Sequence, residues 1–132
     1  MLHFTREEFA DRLKRLRAKM EERGLDAMLL FAPESHFWTT GYDTFGYCFF
    51  QCLIIDHEEV LLTRSADLRQ AQLTSTITDI RIWNDGADAD PTADLKALLA
   101  ERDLQSKKLG FEDDTAGLTA KRGRGLAEKM DG

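Results

Sequence analysis

The histidines and cysteines are the side chains of this 132-residue chain best suited to metal binding or nucleophilic catalysis. The three histidines are His3, His36 and His57, and none has a partner at the spacing of a metal site or a catalytic pair. Cys48 and Cys52 are four residues apart, which on a strand is about 13 Å and too far for a disulfide. A zinc site would need a closer pair and further ligands. We therefore interpret both cysteines as small buried residues on one face of a strand.

Acidic residues near the ends of predicted strands raise a second possibility, a nuclease that holds two metal ions. They are Asp26, Asp56, Glu112, Asp113 and Asp114. Such residues are more often turn formers and helix caps, and a net charge of -6 disfavours nucleic acid as a partner. A GxSxG elbow, a P-loop and a GxGxxG motif are all missing. The sequence thus predicts no catalytic, cofactor-binding or metal-binding residue in this chain.

Aromatic side chains are the remaining signal. Seven of them crowd into fourteen positions: Phe37, Trp38, Tyr42, Phe45, Tyr47, Phe49 and Phe50. Alternation along a strand would bury about half of them. The excess over that half indicates an interface or the wall of a ligand site.

Capping and periodicity predict the elements that must position these residues. Thr5 and Glu8 form a capping box, and apolar residues at helical spacing follow, so we predict a helix at Arg6–Arg23 that ends before Gly24.

Beyond this helix the pattern alternates between strands and helices. The predicted strands are Asp26–Phe31, Phe45–Ile55, Val60–Thr63, Ile77–Trp83 and Lys108–Glu112. The predicted helices are Ser35–Thr40, Ala66–Ser75, one that begins at Pro91, and Thr119–Met130. We predict that Ser35 caps the first of these helices, that Leu68 and Leu73 face inward in the second, and that Leu95, Leu98 and Leu99 face inward in the third. This order predicts one α/β domain over residues 1–132, a three-layer α/β/α sandwich on a mixed sheet.

Hydropathy and the pattern of the N-terminal residues predict the cellular location of the protein. The longest apolar run, near Phe49–Ile55, is far too short to span a bilayer. The N-terminus is acidic and amphipathic, unlike a signal peptide. We therefore expect a cytoplasmic protein with no membrane partner.

Three motifs in this order resemble the N-terminal domain of the creatinase/prolidase/aminopeptidase P family, the pita-bread hydrolases. They are Gly24-Leu25-Asp26 before an apolar strand, Trp38-Thr39-Thr40-Gly41-Tyr42, and Gly110-Phe111-Glu112. Thr39 stands where the family more commonly has an apolar residue. The resemblance covers essentially the whole chain. It implies a five-stranded mixed sheet of ribonuclease H-like topology with one antiparallel strand.

The same resemblance implies a role in a larger hydrolase. In this family the first domain carries no catalytic residue, so the 132-residue chain alone is expected to be inactive. A catalytic pita-bread domain, absent from this chain, would follow and hold two divalent ions of the Mn, Co or Zn type. The first domain would help form a homodimer and cover the active site of the partner subunit. Its covering segment follows the Thr-Gly turn, which makes Phe45, Tyr47 and Phe49 the substrate-facing candidates.

The substrate of the parent protein stays open between a peptide and a small amide. Creatinase-like members place an aromatic residue and then an Arg where this chain has Tyr47 and Phe49, which counts against creatine. Gly41-Tyr42-Asp43 and Gln51 are closer to the Xaa-Pro peptidase-like members and to ectoine hydrolase. We therefore expect an Xaa-Pro dipeptidase or aminopeptidase, with a creatinase- or ectoine-hydrolase-type C–N amidohydrolase as the alternative. A non-enzymatic binding module on the same fold is a further alternative.

Overall fold

The structure is a computed structural model that describes residues 4–43, 50–83 and 89–111. Several residues of the sequence analysis lie outside the described residues. They are His3, Cys48, the acidic residues at 112–114 and the predicted helix at 119–130.

Helix α1 (Arg6–Glu22) begins at the predicted residue and ends one residue earlier than predicted, with Arg23 as its C-cap residue. The backbone N–H of Glu8 donates to Thr5 Oγ1 at 3.1 Å, which caps the first turn. Gly24, just after the helix, has a φ of 69° that glycine adopts without strain. The buried stripe of the helix includes Phe9, Leu13 and Met20.

The described residues form one five-stranded mixed sheet. Its strands are β1 (Ala27–Leu30), β2 (Cys52–Ile55), β3 (Glu59–Arg64), β4 (Asp79–Trp83) and β5 (Leu109–Phe111). Their spatial order is β4-β3-β2-β1-β5. Strand β2 is antiparallel to both β1 and β3, whereas β3 with β4 and β1 with β5 are parallel. This confirms the predicted mixed sheet with one antiparallel strand.

Helices cover both faces of this sheet. The remaining helices are α2 (Pro33–Thr40), α3 (Leu68–Thr74, after a 3-10 turn at Ser65–Asp67) and α4 (Pro91–Glu101). On one face, α1 and α3 pack with Leu53 and Ile55. On the other face, α4 packs with Cys52 and Ile54. Because both faces are covered, every residue of β2 is buried, as is usual for a central strand. None of the helices formed by the described residues is long and apolar enough to cross a membrane.

Helix α2 begins earlier than predicted, and Ser35 is not its cap. Pro33 occupies the first helical position and Ala32 is the N-cap residue. Proline suits this position because its φ is already helical and its missing N–H has no partner to lose. Pro33 therefore separates β1 from α2 and is the first residue of the helix.

The strand predicted at Phe45–Ile55 is shorter in its described part. Only Cys52–Ile55 pair with neighbouring strands, while Phe50 and Gln51 lie before the ladder. The carbonyl of Phe50 instead accepts a hydrogen bond from Trp83 Nε1 at 2.9 Å. A side chain thus satisfies a backbone group that the predicted strand assigned to the sheet.

Leu73 does not face inward as predicted. It is 51% exposed, whereas Ala71 of the same helix is fully buried. Leu68 is half-buried. Helix α3 has only seven residues, and its helical period turns Ala71 and Thr74 toward the sheet.

Candidate functional site

The described residues that flank the candidate substrate-facing segment lie at the carboxyl edge of the parallel strands. In open α/β sheets, ligands bind outside the carboxyl ends of the strands. Residues 44–49, which include the substrate-facing candidates Phe45, Tyr47 and Phe49, lie outside the described residues. The residues on either side of this segment are described, and both contact residues at the carboxyl ends of β1, β3 or β4.

The first flank is the turn at Gly41. Gly41 has a φ of 85°, and a Cβ there would lie 2.7 Å from the carbonyl oxygen of Thr74 and 2.9 Å from Phe9 Cζ. The position therefore requires glycine for both its conformation and its close packing. Two residues later, the backbone N–H of Asp43 donates to Thr74 Oγ1 at 3.0 Å. The end of α2 is thus held against α1 and α3.

Tyr42 continues this flank into the core. Its ring is buried and stacks on His36 with 5.8 Å between the ring centres. Its hydroxyl lies 3.4 Å from Thr63 Oγ1, near the carboxyl end of β3. His36 Nε2 donates to the carbonyl of Leu30 at 2.6 Å, at the end of β1. His36 therefore joins α2 to the sheet, and this contact assigns it a structural role.

The second flank is Phe50. Its buried ring packs against Phe31 at 5.4 Å and edge-on against Trp83 at 6.4 Å between ring centres. Together with the Trp83 hydrogen bond, these contacts fix the chain immediately before β2. The described residues on both sides of positions 44–49 are therefore held by contacts with the core of the fold.

The described aromatic residues divide between core and surface. Tyr42 and Phe50 are buried, Phe37 is half-buried and Trp38 is exposed. The sequence expectation that about half of this cluster would be buried therefore agrees with the part of it that the structure describes.

The other described residues that the sequence analysis considered for metal binding or catalysis lie in structural positions. Asp26 Oδ2 accepts a hydrogen bond from the backbone N–H of Lys108 at 2.9 Å, which joins the amino ends of the neighbouring strands β1 and β5. Cys52 is a buried free thiol, and His57 is exposed in the turn between β2 and β3. In the described ranges, no three His, Cys, Asp or Glu side chains come together in a way that could hold a metal ion.

Sequence reasoning missed a buried ion pair at the opposite edge of the sheet. Arg102, after α4, donates to both carboxylate oxygens of Asp56 at 2.8 and 3.0 Å. Arg17 of α1 donates to the Asp56 carbonyl and to Glu59 Oε2, both at 2.8 Å. These contacts tie the β2–β3 turn to helices in both layers.

The ion pair changes the titration of Asp56. Burial acts to raise the pKa of this carboxyl, but the hydrogen bonds from Arg102 and from the backbone N–H of Glu58 outweigh it. The pKa of Asp56 therefore lies below its ordinary value. No local motif signals this pair, because 46 residues separate its two members.

Trp83→Phe should weaken the second flank without emptying the core. The variant keeps a ring against Phe50 but leaves the buried Phe50 carbonyl without the indole donor. We expect the free energy of unfolding to fall by about 1–2 kcal/mol in urea titrations. The matched control is Trp38→Phe at the only other tryptophan, which is exposed. An equal loss in both variants would contradict this role of the hydrogen bond.

Comparisons with known proteins agree with this fold. Residues 12–132 match the model of the Creatinase/Prolidase N-terminal domain family. A curated relative is the ectoine hydrolase of Halomonas elongata, 40% identical over 57 residues. That match covers 43% of this chain and 14% of the hydrolase. The chain thus aligns with a small part of its relative's length.

Solved structures of low sequence identity share the fold. An Xaa-Pro aminopeptidase structure from Streptococcus pyogenes superposes with a TM-score of 0.75 at 21% identity, covering 97% of this chain and 89% of that one. The Xaa-Pro dipeptidase from Bacillus anthracis gives 0.72 at 22% identity, covering 93% of this chain but only 32% of that one. With the family match over residues 12–132, these findings show that the chain belongs to the Creatinase/Prolidase N-terminal domain family.

Proposed function

We propose that this chain is the non-catalytic N-terminal domain of an Xaa-Pro dipeptidase- or aminopeptidase-like hydrolase. A catalytic domain of pita-bread fold would follow it and hold two divalent metal ions. This domain would contribute to the dimer and cover the active site of the partner subunit with residues 44–49. The observation that carries the proposal is the fixing of both flanks of this segment at the carboxyl edge of the sheet.

The composition of the segment supports a compact substrate. Phe45, Tyr47 and Phe49 supply three aromatic rings within five positions, and a proline ring is a suitable partner for such a surface.

A second candidate is a C–N amidohydrolase of the ectoine hydrolase type. It is favoured by the 40% identity to the Halomonas elongata enzyme over 57 residues. Ectoine is also a compact ring, so the same aromatic segment would suit it. The two candidates differ in the bond that the catalytic domain cleaves and share the proposed role of this domain.

The deciding experiment is a hydrolysis assay on the complete protein and on this chain, side by side. The substrates are Xaa-Pro dipeptides, longer Xaa-Pro peptides, creatine and ectoine, each with and without Mn²⁺. We expect metal-dependent activity in the complete protein alone, with the substrate distinguishing the two candidates. Hydrolysis by the isolated 132-residue chain would overturn the proposal. Inactivity of both proteins would favour a binding module.

Tyr47→Ala and Phe49→Ala should each impair the complete enzyme. Loss of an aromatic ring from the substrate surface is expected to raise KM or lower kcat, with a fall of about tenfold in kcat/KM. Leu73→Ala is the control, because Leu73 is an exposed apolar residue outside the segment. Kinetics that match the wild type in both ring variants would remove these residues from the site.

A further inference from the structure

An open groove lies between α1 and α2, on the surface that carries exposed aromatic rings. Its volume is about 450 Å³, enough for one or two large side chains. The residues that line this α1–α2 groove are Leu16, Leu30, Glu34, Ser35, Trp38 and Thr39. Three apolar side chains therefore form much of its lining, and Glu34 is the carboxylate among the lining residues.

The aromatic residues beside the groove are exposed but held in place. Trp38 is 41% exposed and Phe4 is 43% exposed. The guanidinium carbon of Arg12 lies 4.4 Å from the centre of the Phe4 ring and 5.4 Å from that of Trp38. Arg12 also donates to the carbonyl of Trp38 at 2.9 Å and to Glu8 at 3.2 Å. Because Arg12 is itself buried, the rings are fixed by the fold, and rigid exposed aromatic rings are typical anchors of interfaces.

The groove is bordered by positive charge in an acidic chain. Residues 12–19 of α1 read RLKRLRAK, with five cations and no acid, whereas the whole chain carries a net charge of -6. Arg15 contacts the Trp38 ring at 5.6 Å, and Lys19 lies one helical turn beyond Leu16. Their ion pairs, with Asp11 and Glu22, are solvent-exposed. Such pairs contribute little and exchange easily.

From this combination we propose that the α1–α2 groove binds an acidic segment of a protein partner. A bulky apolar side chain of the segment enters the groove against Trp38 and Leu16. Carboxylates of the segment lie on the α1 side, at Arg15 and Lys19, and away from Glu34. The charges argue for this occupant, because Arg15 and Lys19 lie on the Trp38 and Leu16 side of the groove, within a stretch of α1 (residues 12–19) that has five cations and no acid. An anionic membrane suits the groove less well, because the groove admits single side chains and the chain as a whole carries a net charge of -6, which repels an extended anionic surface.

The test uses fluorescein-labelled peptides of one length and fluorescence polarisation. One peptide has Leu and Trp flanked by Asp and Glu; the second replaces the acids with Asn and Gln, and the third with Lys. We expect the acidic peptide to bind at least tenfold more tightly than the other two, and more weakly as NaCl is raised. Glu34→Gln should strengthen its binding about twofold, because the variant removes a like charge from the groove.

Variants locate the binding. Trp38→Ala and the double charge reversal Arg15→Glu/Lys19→Glu should each weaken it at least tenfold. The matched control is Lys96→Glu/Lys107→Glu, which makes the same charge change on and after α4, on the other side of the sheet. Circular dichroism and urea unfolding of each variant separate loss of binding from loss of folding.

Five results would overturn the proposal. An acidic partner is ruled out if the three peptides bind with equal affinity, or if none shows saturable binding at 1 mM. An equal loss of peptide affinity in the charge-reversal variant and in the control variant would show that the peptide does not bind in the α1–α2 groove. Preference for phosphatidylserine vesicles over the peptide assigns the surface to a membrane. Self-association in sedimentation that Trp38→Ala abolishes assigns it to a second copy of the chain.

Discussion

Gly41→Ala is expected to destabilise the domain by about 3 kcal/mol or more. The left-handed conformation at φ 85° disfavours a residue with a Cβ by about 1–2 kcal/mol. Crowding adds to this, since the new methyl group would meet the backbone oxygen of Thr74 and the ring of Phe9 at less than 3 Å. Overpacking of this kind typically adds about 1–3 kcal/mol. The measurement is the free energy of unfolding from urea titration.

Gly24→Ala is the matched control for this prediction. Gly24 also has a positive φ, of 69°, but nothing lies within 4 Å of the position of its Cβ. We therefore expect only the conformational contribution, about 1 kcal/mol. If both variants lose the same stability, the close approach of Gly41 to Thr74 contributes nothing.

In the complete protein, Gly41→Ala should also affect activity if residues 44–49 cover the active site. Gly41 precedes this segment by two residues, and its displacement would move Asp43 from Thr74 Oγ1. Gly24→Ala should leave kcat/KM unchanged, because its turn joins α1 to β1 at the amino edge of the sheet.

Arg102→Met is expected to destabilise the domain by about 3–5 kcal/mol at neutral pH. The substitution keeps much of the side-chain volume but removes all three hydrogen bonds to Asp56, whose side chain is 6% exposed. A buried carboxylate would then be left without its cation. Thermal or urea unfolding at pH 7 measures the loss.

Arg81→Met is the control, because its ion pairs with Asp79 and Glu101 are considerably more exposed. Surface pairs of this kind contribute about 0–1 kcal/mol. A loss in Arg81→Met as large as in Arg102→Met would contradict the role assigned to burial. The double variant Asp56→Asn/Arg102→Met should recover part of the stability, since it removes the charge that Arg102→Met leaves unpaired.

The Asp56–Arg102 ion pair makes the free energy of unfolding depend on pH in a defined direction. The folded pKa of Asp56 lies below its ordinary value of about 3.9. The stabilisation is therefore fully present above pH of about 4–5 and is lost as the pH falls through the lower, folded pKa. Asp56→Asn should remove this part of the acid sensitivity. Unfolding titrations of wild type and variant between pH 2 and 7 test the prediction.

Local signals account for the elements that were predicted well. The Thr5 cap and the positive φ of Gly24 mark the start and end of α1, and each depends on residues within four positions. Gly41 marks the end of α2 in the same way. The order of elements predicted the α/β class, because alternating apolar strands and amphipathic helices have few ways to bury their faces.

Contacts between distant residues account for the errors. The start of α2 is an exception, because neighbouring residues set it: Ala32 is the N-cap residue and Pro33 the first helical residue. The exposure of Leu73 follows from how far the short helix α3 turns over the sheet. Strand β2 begins at Cys52, and the carbonyl of Phe50 accepts its hydrogen bond from Trp83, 33 residues away, instead of from a neighbouring strand.

By itself the sequence determined the fold class, the limits of α1, the glycine turns and the family resemblance, which the family match confirms. These features follow from backbone preferences and from the spacing of apolar residues. Only the tertiary structure decided which aromatic rings are buried, that Asp56 pairs with Arg102, and that Arg12 holds Phe4 beside Trp38. Each of these joins residues from separate elements, and the distance between such residues depends on how helices pack on the sheet.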